Sequence, residues 1–151
     1  MYKNPTPVSI GIIPSLTAGE IILVERSDGG LALPGGYVDP LEDASTAVTR
    51  EVLEETGIEL DAAQWTLFHS AITQDNKLLL FSYYRQSIAV PAGFVPNTEV
   101  VRLLSAPWDT PLRFPLHVEA VEQWMNAAES GWQPYPLIRR DTTKRFLPQL
   151  I

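Results

Sequence analysis

The sequence contains no cysteine and only two histidines, His69 and His117, among its 151 residues. The absence of cysteine excludes disulfide bonds and thiolate metal sites. Two histidines also supply too few imidazole ligands for a typical zinc site. The 18 aspartates and glutamates offer oxygen ligands instead, and these favour hard cations such as magnesium or manganese.

Positive charge is scarce as well, since 11 lysines and arginines leave a formal net charge of −7. Binding to nucleic acid or to a membrane surface depends on positive charge, so neither partner is expected. No apolar stretch approaches the length of a membrane span, and the short N-terminal run is interrupted by Pro14. A cytoplasmic protein is therefore expected. Four cations fall in a C-terminal segment that is expected to be solvated, with phosphates or a neighbouring subunit as alternative contacts: Arg139, Arg140, Lys144 and Arg145.

The composition is that of a globular protein, with 45% hydrophobic and 19% charged residues. The length predicts a single domain over residues 1–151. Helices are predicted from Asp43, as N-cap, to Thr56 and over residues 115–130. Strands are predicted over residues 8–13, 20–26, 65–73, 77–87 and 99–106. Strands on both sides of a central helix, followed by a closing helix, indicate an α/β or α+β fold with a mixed sheet.

The end of the first predicted helix carries an unusual group of acids in the stretch "REVLEETG", residues 50–57. At about 100° per residue, Glu51, Glu54 and Glu55 fall within an arc of roughly 100°. They lie at the negative end of the helix dipole, and Glu51 and Glu55 form a like-charge i,i+4 pair. Arg50 is the only cation within reach. The arrangement therefore weakens the helix taken alone.

Two interpretations of these acids are open. A solvated acidic face is the simpler one, although such a face usually carries balancing lysines or arginines. The other is a cation site, because Ala44, Ala47 and Val48 lie in or beside the same arc and place the acids on a partly packed side. Half-buried carboxylates need a positive partner, and a divalent cation held by oxygen ligands would supply it.

The surrounding stretch, "GYVDPLEDASTAVTREVLEETGI" at residues 36–58, resembles the signature of the Nudix hydrolases. That signature is G, five residues, E, seven residues, R-E, an aliphatic residue, any residue, E-E, any residue, G and an aliphatic residue. Every specified position is met, by Gly36, Glu42, Arg50, Glu51, Val52, Glu54, Glu55, Gly57 and Ile58. The resemblance implies the Nudix fold, in which a mixed β-sheet is sandwiched between helices.

The resemblance also implies a site for divalent cations, usually magnesium and sometimes manganese. By position, Glu51 and Glu55 correspond to the principal ligands and Glu54 to a further one that can act through water. The backbone carbonyl of Gly35 corresponds to another ligand, and a glycine pair allows backbone to approach an ion closely. Arg50 is expected to orient Glu51 through a charge-assisted hydrogen bond, or to serve as a structural salt bridge, or both.

The group that takes a proton from the attacking water is left open between two acids. Glu51 is one candidate, and Glu99, outside the motif, is the other, with a plain acid at a loop or strand end as its alternative. Glu42 is expected to support the site through water or loop contacts. One departure from many relatives is Leu41, where they carry glycine, and it indicates a loop that follows a different path.

The implied reaction is cleavage of a diphosphate bond that links a nucleoside to another group. Arg26, Tyr37 and Phe114 are predicted to bind the substrate. Three further aromatic residues could stack on a base or could belong to the core, and these are Phe81, Tyr83 and Trp108.

The stretch "LPGGYVD", residues 33–39, is similar to ADP-ribose and related dinucleotide pyrophosphatases. Alternatives are a nucleoside triphosphate pyrophosphatase that cleans the nucleotide pool and a non-catalytic ligand-binding module of the same fold. A homodimer is one option for the oligomeric state.

Overall fold

The structure is a computed structural model, and it describes residues 3–129. It contains two helices, α1 (Ala44–Thr56) and α2 (Pro115–Glu129), and a short 3-10 turn at Ala62–Gln64. The seven strands are β1 (Thr6–Ile12), β2 (Glu20–Arg26), β3 (Leu31–Ala32), β4 (Gly35–Tyr37), β5 (Trp65–Ile72), β6 (Lys77–Tyr84) and β7 (Val100–Pro107). Neither described helix is long and apolar enough to cross a membrane. The basic C-terminal residues considered above lie outside the described residues.

The strands form two sheets. The larger sheet has the order β4, β1, β6, β5, in which β1 runs parallel to β6 and antiparallel to β4. The smaller sheet is antiparallel and has the order β3, β2, β7. The predicted α+β class with a mixed sheet is confirmed. The division into two sheets depends on long-range pairing, which the sequence pattern does not reveal.

Each helix packs on its own buried cluster of apolar side chains. Val48 and Val52 of α1 are fully buried in one cluster, and Ala120 and Val121 of α2 are buried in the other. Two of the aromatic residues considered for stacking on a base, Phe81 and Tyr83, are buried in the α2 cluster, and Trp108 packs against that cluster. Their role is in the core.

Both ends of α1 lie where the sequence predicts them. Asp43 is the N-cap, and its side chain accepts a hydrogen bond of 2.8 Å from the N–H of Thr46. Gly57 ends the helix in the left-handed conformation at φ 79°, and its N–H donates to the carbonyl of Leu53. The side chain of Leu53 is exposed whereas Ala47 and Val48 are buried. Glu51 and Glu55 lie on the packed side with these small residues as predicted, whereas Glu54 is exposed.

Candidate active site

Glu55 is the buried acid of the group, with only 7% of the residue exposed. Its Oε1 accepts a hydrogen bond of 3.1 Å from the N–H of Gly35. Burial raises the pKa of Glu55 to about 8, and the negative charges of Glu51 and Glu99 act in the same direction. The carboxyl group therefore lies where a nearby cation would favour its charged form.

Glu51 lies directly against Gly36 on β4. A Cβ atom added to Gly36 would come within 2.5 to 2.6 Å of both carboxylate oxygens of Glu51, so only glycine leaves room for this contact. The Glu51 side chain is 14% exposed. Burial raises its pKa, against a lowering effect of the hydrogen bond from Arg50. The two glycines of β4 thus hold the carboxylates of Glu51 and Glu55 close to the strand backbone.

Arg50 is the centre of an ion-pair network. Its Nε and Nη2 atoms donate to the two oxygens of Glu42 at 2.7 and 2.9 Å. Its Nη1 atom donates to both Glu51 and Glu54 at 3.1 Å, and Nη2 also reaches the carbonyl of Tyr37 at 3.0 Å. The guanidinium therefore fixes the loop after β4, through Glu42 and Tyr37, to the acids of α1. The hydrogen bond to Glu51 has the geometry expected for an orienting contact.

Glu42 accepts a further hydrogen bond of 2.8 Å from the N–H of Asp39. The Arg50 hydrogen bonds, with this backbone contact, lower the pKa of Glu42 to about 2. Glu42 is therefore charged across the physiological range and is engaged in loop contacts, which agrees with a supporting role.

The acids fit a divalent cation by their chemistry. Among residues 3–129, no three carboxylate or imidazole side chains are already gathered closely enough to hold an ion. Arg50 engages oxygens of Glu51 and Glu54, and the Gly35 N–H engages Glu55. The available donors are hard carboxylate oxygens, and burial raises the pKa of Glu51 and of Glu55, so a cation bound beside them would favour their charged forms. Glu54 differs, since its side chain is 58% exposed.

Glu99 immediately precedes β7 and lies on the same side of the molecule as the motif acids. Its charge contributes to the raised pKa of both Glu51 and Glu55. Asn97 links the Glu99 segment to the end of α1. Its Nδ2 donates to the carbonyl of Glu55 at 3.1 Å, and its Oδ1 accepts from the N–H of Glu99 at 3.0 Å. Asn97 was not predicted as a site residue. The only sequence signal was its place after Pro96, where a turn is common.

A cavity of about 430 Å³ adjoins these acids through the glycines of β4. All three predicted substrate-binding residues, Arg26, Tyr37 and Phe114, line it together with Gly35 and Gly36. The Arg26 guanidinium lies over the Phe114 ring at 5.3 Å from the ring centre. The volume and the apolar walls are typical of a small-molecule site.

The sequence did not predict several other residues that line this cavity. Thr73, Asp75 and Lys77 reach it from the turn between β5 and β6, and His117 reaches it from the first turns of α2. The Nζ atom of Lys77 lies 5.6 Å from the centre of the Tyr37 ring. These contacts arise because β1 pairs with both β4 and β6, and no local pattern in the sequence indicates such pairing.

Comparison with known proteins gives consistent matches. The model of the NUDIX domain matches residues 5–146. A protein of Bacillus subtilis (strain 168) described as a "Putative 8-oxo-dGTP diphosphatase" is 38% identical over 126 residues, covering 82% of this chain and 80% of the relative. An ADP-ribose pyrophosphatase of Methanocaldococcus jannaschii is 39% identical over 62 residues, covering 38% of this chain and 36% of that protein. The crystal structure of a NUDIX hydrolase from Nitrosomonas europaea superposes with a TM-score of 0.66 at 17% identity, covering 93% and 82% of the two chains.

Proposed function

Since this chain belongs to the Nudix hydrolase family, we propose that it is a single-domain, metal-dependent hydrolase that cleaves the diphosphate bond of a nucleotide. One observation carries the proposal. The carboxylates of Glu51 and Glu55 lie against Gly36 and Gly35, and these glycines also line the 430 Å³ cavity. A nucleotide with its nucleoside in the cavity would place its diphosphate beside the acids.

Magnesium, or manganese in its place, is the proposed cofactor. The carboxylates of Glu51, Glu54 and Glu55 and the backbone carbonyl of Gly35 would hold it. When bound, such an ion offsets the charge of the diphosphate and makes a water molecule more acidic. Arg50 would hold Glu51 in position throughout, because its guanidinium donates both to Glu51 and to Glu42 in the loop after β4.

The proton of the attacking water would go to a carboxylate. Glu51 is held by Arg50, whereas Glu99 approaches from the start of β7 on a separate segment. Both remain proposed bases. Arg26, Tyr37 and Phe114 are proposed to bind the nucleoside end of the substrate, since all three line the cavity.

Two substrate classes are proposed. The relative that matches 82% of the chain is described as acting on 8-oxo-dGTP, which favours a nucleoside triphosphate. ADP-ribose or a related dinucleotide is favoured by the sequence around the glycine pair and by a second relative, an ADP-ribose pyrophosphatase, whose match covers 38% of this chain.

We propose that the protein acts in the cytoplasm and that it assembles as a homodimer. A non-catalytic module is disfavoured, because one relative is described as a putative diphosphatase and another as a pyrophosphatase.

The test is cleavage of a panel of nucleoside triphosphates and nucleoside diphosphate derivatives with magnesium, with manganese and with chelator. Wild type should cleave one class in a metal-dependent way. Glu55→Gln should reduce turnover by about 10²- to 10⁴-fold, because it removes a charge from the proposed metal site. Glu119→Gln is the matched control, since Glu119 is exposed on α2, and its turnover should equal that of wild type.

Circular dichroism should show that Glu55→Gln keeps the wild-type fold. Near-normal turnover of Glu55→Gln, or cleavage that chelator leaves unchanged, would contradict the proposed metal site. No cleavage of any substrate in the panel would contradict the proposed reaction.

A further inference from the structure

His117 is a buried residue whose ring takes part in the wall of the cavity. It lies in the first turns of α2 with 7% of the residue exposed. Its ring packs against Phe114, at 4.9 Å between ring centres, and against Phe81, at 5.8 Å. The ring is therefore held between two aromatic side chains, and it cannot turn freely.

The hydrogen bond at Nδ1 fixes the position of the ring proton. Nδ1 lies 3.3 Å from the backbone nitrogen of Leu33, which donates to it. A backbone N–H can only donate, so Nδ1 must carry the lone pair. In the neutral ring the proton is then on Nε2.

The imidazole is neutral at physiological pH. Burial, with the positive charge of Arg26, lowers the pKa of His117 to about 4. Nε2 has no hydrogen-bond partner within residues 3–129, yet it is not one of the side-chain atoms sealed from solvent. His117 lines the cavity, and within residues 3–129 its Nε2–H is the ring donor that the protein itself does not engage.

We propose that His117 is a specificity-determining residue whose Nε2–H donates to a keto oxygen of the bound nucleobase. This inference rests on the proposed function and deepens it, because of the two proposed substrate classes it favours the one described for the 8-oxo-dGTP relative, whose base is a 6-oxopurine, over ADP-ribose, whose base is a 6-aminopurine. A 6-oxopurine presents an oxygen acceptor at the position where a 6-aminopurine presents an N–H donor. With the tautomer fixed by Leu33, the ring cannot change from donor to acceptor, so an amino group would leave two donors facing each other.

The aromatic and charged surroundings agree with this assignment. Phe114 packs next to His117, and the guanidinium groups of Arg26 and Arg113 both lie over its ring at 5.3 Å from the ring centre. Arg26 adds positive charge on the His117 side of the cavity, where its field lowers the pKa of His117. Asp28 accepts from the Arg26 guanidinium at 2.9 and 3.1 Å, so the Nε2–H of His117 is the donor that favours a base edge carrying oxygen.

The experiment uses inosine and adenosine 5′-monophosphates, which differ at position 6 of the purine. Their equilibrium binding to the full chain is measured without metal, so the result does not depend on cleavage. Binding is followed by calorimetry and by the side-chain NMR signal of His117 Nε2. The kcat/KM values for the inosine and adenosine forms of one cleaved substrate are then compared.

Two substitutions separate the functions of the ring nitrogens. The oxygen of His117→Asn can replace Nδ1 and accept from Leu33, but this variant lacks a group at the Nε2 position. His117→Gln places an amide donor near the Nε2 position. Glu119→Gln, on an exposed position of α2, is the control with the histidine intact.

Wild type should prefer the inosine form by about 10- to 100-fold. His117→Asn should reduce the preference to less than about 3-fold, His117→Gln should keep part of it, and Glu119→Gln should keep all of it. The NMR signal of His117 Nε2 in wild type should shift when inosine monophosphate binds. This measurement tests the contact between Nε2–H and the base even if a variant fails to fold.

Equal binding of the two monophosphates, an unshifted Nε2 signal or an unchanged preference in His117→Asn would overturn the assignment. Cleavage without a preference would overturn it while the proposed hydrolase activity stands. A clear binding preference without cleavage of any substrate would support base recognition and contradict the proposed reaction.

Discussion

At Leu41 the backbone has a conformation that suits glycine. Its φ angle is 69°, in the left-handed region that costs other residues about 1–2 kcal/mol. The side chain is fully exposed. At this departure from the glycine of many relatives the structure shows a leucine on a glycine-type backbone, and the changed loop path stays a prediction. The loop is therefore strained at one residue.

Leu41→Gly should raise the free energy of unfolding by about 0.5–1 kcal/mol. The relief of the left-handed strain exceeds the added flexibility of glycine in the unfolded chain, which costs about 0.5–1 kcal/mol. Urea denaturation at neutral pH measures the change. Leu41→Ala is the matched control, because it removes the same exposed side chain but keeps a Cβ atom, and its stability should stay near that of wild type. Equal effects of the two substitutions would show that side-chain exposure, and not φ, matters here.

At the scale of the helix, α1 depends on its N-cap. Asp43 accepts from the N–H of Thr46, and the same contact lowers the pKa of the Asp43 carboxyl group. Ser9 of β1 also donates to the carbonyl of Ala44 at 2.7 Å, so the first turn is attached to the larger sheet. Glu51, Glu54 and Glu55 have no favourable interaction with the helix dipole, which makes the cap more important.

Asp43→Ala should lower the free energy of unfolding by about 1 kcal/mol, because an N–H of the first turn loses its acceptor. Asp43→Asn keeps an acceptor oxygen and should lose only a few tenths of this amount. Chemical denaturation of both variants at pH 7 provides the comparison. An alanine variant as stable as the asparagine variant would mean that the cap contributes nothing measurable to α1.

The helices and longer strands could be predicted from the sequence because their signals are local. Asp43 and Gly57 mark the ends of α1, and a continuous run of Ile, Leu and Val marks β2, whose predicted bounds agree with the structure. The two-residue β3 and the three-residue β4 are too short to carry such a run. They form because β1 and β2 are already in place to pair with them.

At the scale of the whole molecule, the candidate site combines a local motif with a cavity built by the fold. The motif placed Arg50, Glu51 and Glu55 correctly on one helix, because helical spacing is regular. Lys77 and Tyr37 meet at the cavity only through the pairing of β6 and β4 with β1. His117 is 84 positions from its hydrogen-bond partner Leu33, and sequence spacing says nothing about such a contact.

The burial of His117 should also make the stability of the whole molecule depend on pH. Its pKa in the folded protein, about 4, lies below the ordinary value of 6.5. Between these values the unfolded chain binds a proton that the folded protein excludes, so stability is fully present above about pH 6.5 and falls as the pH is lowered. The loss from this group should reach about 3 kcal/mol near pH 4.

His117→Asn isolates this contribution, because asparagine does not titrate while the other acidic and basic groups are the same in both proteins. The free energy of unfolding of wild type and of His117→Asn should be measured by urea denaturation at pH 7.5, 6 and 4.5. We expect the advantage of wild type to be largest at pH 7.5 and to shrink steadily towards pH 4.5. A difference that stays constant over this range would mean that His117 titrates in the folded protein as it does in the unfolded chain. The imidazole would then be accessible to protonation, and its Nε2–H would not be the buried neutral donor on which recognition of a keto oxygen depends.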